Sequence, residues 1–79
     1  VYPNPASNQI NISYHLKDAN LVKIELFNQK GQLLEQLLNT KQHIGKHHLK
    51  RIISDYPAGI YFCKLSFGNN AQTTKFIKY

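Results

Sequence analysis

Apolar and polar residues alternate one by one through most of this chain, and that period constrains the fold more than anything else in it. In residues 9–17, Ile10, Ile12, Tyr14 and Leu16 alternate with Asn11, Ser13, His15 and Lys17. Side chains at i and i+2 share a face only on an extended strand, so this spacing predicts a strand with one buried face. Residues 21–27 repeat it, with Val22, Ile24 and Leu26 on one side and Lys23 and Glu25 on the other. Residues 60–67 carry Tyr61, Cys63, Leu65 and Phe67 on one face, and Ile60 and Phe62 on the other.

Between these runs lie turn residues. Asn28-Gln29-Lys30-Gly31 reads as a hairpin turn, because glycine takes a positive φ without steric cost. Tyr56-Pro57-Ala58-Gly59 reads as a type I turn, with proline presetting φ at the second position and glycine at the fourth. Gly68-Asn69-Asn70 makes another turn. Residues 32–39 are ambiguous: Leu33, Leu34, Leu37 and Leu38 have helical spacing, but the segment follows a hairpin turn. The return strand is the reading taken. Residues 40–46 read as a polar loop. Residues 47–54 alternate through Leu49 and Ile53, which drops Arg51 onto the apolar face. Residues 72–79 close the chain as a strand, and periodicity does not decide which of Phe76 and Ile77 faces inward. Pro3 and Pro5 hold the start extended and suit a sheet edge.

Six strands, or seven with the start, spaced by turns imply an all-β, immunoglobulin-like sandwich of antiparallel strands. The Cys-Trp-Cys core of antibody domains is absent, because Cys63 is the only cysteine and there is no tryptophan. Cys63 is expected to be a buried, inert thiol. At 79 residues the chain makes one domain with a thin core. Such a chain buries only about 60% of the surface it exposes when unfolded. It opens on Val1, so it is expected to be a piece of a longer product. No apolar run approaches the roughly 20 residues that span a bilayer, and no signal-peptide pattern opens it.

Chemistry finds little footing. His43, His47 and His48 lie close in sequence, but on a strand His47 and His48 point to opposite faces, which disfavours a metal site. Asp18, Glu25, Glu35 and Asp55 are too scattered to form a carboxylate pair. Ser54 and Asp55 read as turn residues rather than catalytic ones, and Gly45-Lys46 lacks the rest of a phosphate loop. Asn11-Ile12-Ser13 matches a glycosylation sequon of a length that chance supplies. The net charge of +6 comes from scattered lysines without a nucleic-acid motif, so no nucleic-acid partner, cofactor or catalytic residue is assigned. The expected role is to be recognised by another protein. The alternative is an accessory carbohydrate-binding or adhesion module, for which Tyr2, Phe27, Tyr56 and Tyr79 are the available aromatics.

Four stretches resemble the C-terminal sorting domain of the type IX (Por) secretion system, in its type A form. Tyr2-Pro3-Asn4-Pro5, followed by Ile10 and Ile12, resembles the family's opening. Val22-Lys23-Ile24-Glu25-Leu26-Phe27-Asn28 with Gly31 resembles its central hairpin. Pro57-Ala58-Gly59-Ile60-Tyr61-Phe62 resembles its most characteristic turn and strand, and Lys75-Phe76-Ile77-Lys78 its ending. Tyr56 stands where the family usually has leucine, and Arg51 where an apolar residue is common, which leaves the register of residues 47–53 open.

The resemblance implies a secretion signal with an upstream cargo in the same chain. It implies transit through the periplasm, recognition by the type IX translocon, and removal by a sortase-like surface protease as cargo is attached to the cell surface. The candidate recognition residues are Pro3, Asn4, Pro5, Gly31, Pro57, Gly59, Tyr61, Lys75 and Lys78, with Lys78 expected to be exposed.

Overall fold

The structure is a computed structural model and describes residues 8–79; Pro3, Asn4 and Pro5 lie outside the described residues. Six strands follow one another: β1 (Gln9–Leu16), β2 (Asn20–Asn28), β3 (Leu33–Gln42), β4 (Gly45–Ile52), β5 (Gly59–Phe67) and β6 (Asn70–Lys78). All pairings are antiparallel. β1 and β4 form a two-stranded sheet, and the other four form a sheet in the order β3-β2-β5-β6. The chain crosses between sheets after β1, β3 and β4, as a sandwich requires.

The core is what the alternation predicts. Ile10, Ile12 and Leu16 from β1 meet Val22, Ile24 and Leu26 from β2 and Tyr61, Cys63 and Leu65 from β5, all buried. Ile53, just past β4, is fully buried, and its N–H donates to the Asn8 carbonyl at 2.8 Å. Phe76 is the largest fully buried side chain, which settles the face of the last strand. Tyr61 lies parallel to it at a ring-centroid distance of 5.6 Å. Burial pushes the Cys63 thiol up to about 11, so it stays protonated at neutral pH.

β3 explains its own ambiguity. Its register against β2 slips twice: Ile24 faces Leu38 but Glu25 faces Gln36, and Leu26 faces Glu35 but Phe27 faces Leu33. Leu37 and Leu34 are therefore extra residues in two β-bulges, which turn period-two alternation into paired leucines. The expected loop over residues 40–46 is corrected, since β3 runs on to Gln42 and β4 starts at Gly45, leaving only His43 and Ile44 between them. The extra strand is polar because β3 is a sheet edge, held by backbone pairing of Thr40 with Val22 and Lys41 with Leu21. Bulges and a lysine are common means of blunting an edge against further pairing.

Arg51 does face inward, with Leu49 and His47, so the register through β4 is the one the alternation gave. Its guanidinium pairs with Glu35 across the two sheets. Tyr56 donates to the other carboxylate oxygen at 2.8 Å. Partial burial would raise the Glu35 carboxyl, but the hydrogen bonds from Tyr56 and Arg51 and the charge of Arg51 outweigh it and hold it below its usual value. A carboxylate depressed in the folded state adds stability that is full above its unfolded pKa and lost as pH falls through the folded value. The thermal midpoint of Glu35→Gln is expected to lie below that of the parent at pH 7, and the two curves to converge as pH falls below the ordinary carboxyl range and through the lowered folded value. Parallel curves from pH 7 to pH 3 would show that the pair contributes nothing.

Candidate functional site

Two turns and four strand ends meet at one end of the four-stranded sheet. The first turn is the β2–β3 hairpin. Gly31 has φ 82°, and its N–H donates to the Asn28 carbonyl at 3.0 Å. The Asn28 side-chain oxygen accepts from the N–H of Lys30 at 2.9 Å and of Gln32 at 3.0 Å. This is a three-residue loop closed by a left-handed glycine, the geometry in which a side chain adds strain.

The second turn corrects the expectation for residues 56–59. The hydrogen-bonded turn lies three residues earlier: the Tyr56 N–H donates to the Ile53 carbonyl at 3.0 Å, with Ser54 and Asp55 between them. Pro57 and Ala58 then bend the chain into β5, and Gly59 is its first residue. Gly59 has φ 159°, a value that residues with a side chain rarely adopt, although the space where a Cβ would stand is open. The Tyr61 hydroxyl donates back to the Pro57 carbonyl, a corner of the kind that fixes strand entries in immunoglobulin-like folds. Tyr61→Phe removes that bond and leaves the rest of the buried ring in place. It is expected to lower stability by about 0.5–1.5 kcal/mol, and an unchanged unfolding midpoint would show that the corner does not anchor the turn.

The register places the third motif stretch beside the other two. Gly59 pairs with Lys78, Ile60 with Ile77, Tyr61 with Phe76 and Phe62 with Lys75. Asn28 pairs with Tyr61 and Phe27 with Phe62. The structure thus brings Gly31, Pro57, Gly59, Lys75 and Lys78 to one end of the molecule. It does not make them all surface. Lys75 is exposed, whereas Tyr61 and Lys78 point inward. Lys78 is 7% exposed and its ammonium donates to the Tyr79 carbonyl at 3.0 Å, which corrects the expectation of an exposed lysine. The reason is parity: once Phe76 faces the core, residue 78 must too.

What the outer face does present was missed by the sequence reading. Leu33, Phe27 and Phe62 form a row across β3, β2 and β5, with Ile60 and Ile77 in the next row. Leu33 is 55% exposed, Ile77 is 38% exposed, and Phe27, Ile60 and Phe62 are half-buried. The signal was present as apolar residues on both faces of residues 60–63. Only the register shows that they gather with residues from two other strands.

The side chains with chemical potential lie elsewhere. The His47 ring stacks on Tyr14 at 5.4 Å and lies 2.8 Å from the His43 carbonyl. His48 turns to the opposite face, with its Nε2 3.1 Å from the Asn11 side-chain oxygen. Among the described residues, no group of three or more His, Cys, Asp or Glu stands close enough to hold a metal ion. Among the described residues no helix is long and apolar enough to cross a membrane.

No curated protein and no solved structure matches the chain. A family model does: the secretion system C-terminal sorting domain matches residues 1–79, the whole chain. That is the family the four resembling stretches pointed to, and the chain belongs to the secretion system C-terminal sorting domain family.

Proposed function

We propose that this domain is the C-terminal address by which a type IX translocon accepts a cargo carried upstream in the same chain and passes it from the periplasm across the outer membrane. Removal by a sortase-like surface protease and attachment of the cargo to the cell surface complete the reading, with the domain as the protease's substrate. The observation that carries it is the meeting of three family-like stretches at one end of the sandwich, in a chain matched by the sorting-domain family from end to end. Physical chemistry agrees. A translocon that takes folded cargo needs a tag that folds by itself and offers a rigid surface. Two sheets around one core meet that need without a disulfide.

Sufficiency is the test. This chain, fused to the C-terminus of an inert periplasmic protein in a host with type IX machinery, is expected to carry the fusion to the surface or the medium. Retention in the periplasm, beside a known sorting domain that is exported, would overturn the reading.

A further inference from the structure

The outer face of the four-stranded sheet is divided along its length. Toward the Gly68 end it is mostly polar, with Lys23, Glu25, Lys64 and Thr73, and Leu21 stands there as a single exposed apolar side chain. Toward the two turns it is apolar, with Leu33, Phe27, Phe62, Ile60 and Ile77 contiguous across four strands. A domain with a thin core gains about 1.5–3 kcal/mol from each such side chain it buries fully, yet this one leaves five of them on an open face. Contiguous apolar surface rimmed by polar residues marks an interaction site.

The charges around the patch say what covers it. Lys30 stands in the turn beside Phe27, Lys75 is the register partner of Phe62, and Lys64 lies one row along. Glu25, on the same face, is the register partner of Lys64. A second copy of the chain would set these lysines against themselves, at +6 on each copy. A lipid surface asks for an apolar face that sinks into the headgroup boundary, whereas Phe27, Ile60 and Phe62 are already half-buried and, of the five, Leu33 and Ile77 alone are exposed. Resting on the export reading, we infer that this face docks onto a partner protein whose contact surface is apolar at its centre and ringed by carboxylates. The apolar centre supplies affinity, and the lysine rim supplies register and on-rate.

The test uses the exported fusion and a cross-linking arm that does not depend on export. Phe27→Thr/Phe62→Thr keeps strand propensity while removing both rings. It is expected to lower the secreted fraction at least tenfold while the domain still folds, as judged by its unfolding transition. Lys30→Glu and Lys75→Glu are expected to lower it several-fold, and Lys23→Glu, at the polar end of the same face, to leave it near the parent. A benzophenone side chain replacing Phe62 is expected to give a discrete protein adduct in living cells. That adduct should be lost with Lys30→Glu, and its mapped contact peptide should carry Asp or Glu beside apolar residues. The same group replacing Ser66 should give none.

Full export of the folded double variant, an equal loss with Lys23→Glu, or a contact peptide without acids would each overturn the inference. So would binding of the parent domain to anionic phosphatidylglycerol vesicles that the double variant loses, which would make the face a lipid-docking one. If the parent fusion is not exported, the export reading fails, and the docking face stands or falls on the cross-link alone.

Discussion

Phe76→Ala is expected to leave the domain largely unfolded at 37 °C. Phe76 is fully buried at the edge of the four-stranded sheet and stacks on Tyr61. Truncating a buried phenylalanine removes its transfer free energy and leaves a cavity, together about 3–5 kcal/mol. A 79-residue domain at typical stability per residue holds about 4–12 kcal/mol in all. Loss on that scale consumes about a quarter of the total or more, and the thermal midpoint falls by more than about 12 °C. The control is its neighbour. Ile77 faces outward, so Ile77→Ala is expected to cost less than about 1 kcal/mol. Chemical denaturation of both variants beside the parent separates the two. Equal losses would mean that β6 is not held in the register that pairs Tyr61 with Phe76. The same comparison tells folding from recognition: Phe76→Ala removes export by unfolding the tag, and Ile77→Ala trims the proposed docking face on a folded one.

The difference between Phe76 and Ile77 also marks where the sequence stops being legible. Period-two alternation fixes a face only when one of two adjacent residues is polar. Residues 10–16 and 22–26 satisfy that, and both strands were readable to within a residue or two. Phe76 and Ile77 are both apolar, so parity had to come from the pairing with β5. β3 failed for two other reasons. Its bulges at Leu34 and Leu37 imitate a helical repeat, and its last residues are polar because an edge strand needs only its backbone paired. At the site, the hairpin turn was legible because Gly31 announces its backbone geometry locally, whereas Pro57 and Gly59 drew the second turn three residues past its hydrogen bond. The apolar face was not, because nothing local says that Phe27 lies opposite Phe62, or Ile60 opposite Ile77, at sequence separations of 35 and 17 residues.

Lys78 is where the structure changes an experiment most. A lysine near the chain's end invites the reading of an exposed charge offered to a receptor, with an alanine substitution that tests recognition alone. Its side chain instead lies on the core face beside Phe76. Its register partner, Gly59, brings no side chain to that spot. A lysine stem covers apolar surface while its head finds a polar partner, here the Tyr79 carbonyl at 3.0 Å. Lys78→Ala is therefore expected to lower stability by about 1–2 kcal/mol through lost packing. Lys78→Met keeps most of the stem, gives up the ammonium, and is expected to melt close to the parent. Unfolding midpoint and secreted fraction measured on the same fusions then divide the two roles. Export that falls with Lys78→Ala and is normal with Lys78→Met places the residue in the fold, which is the expected result. Export lost in Lys78→Met at a parental midpoint would make the charge itself the recognised feature, and would require the end of β6 to open before the translocon reads it.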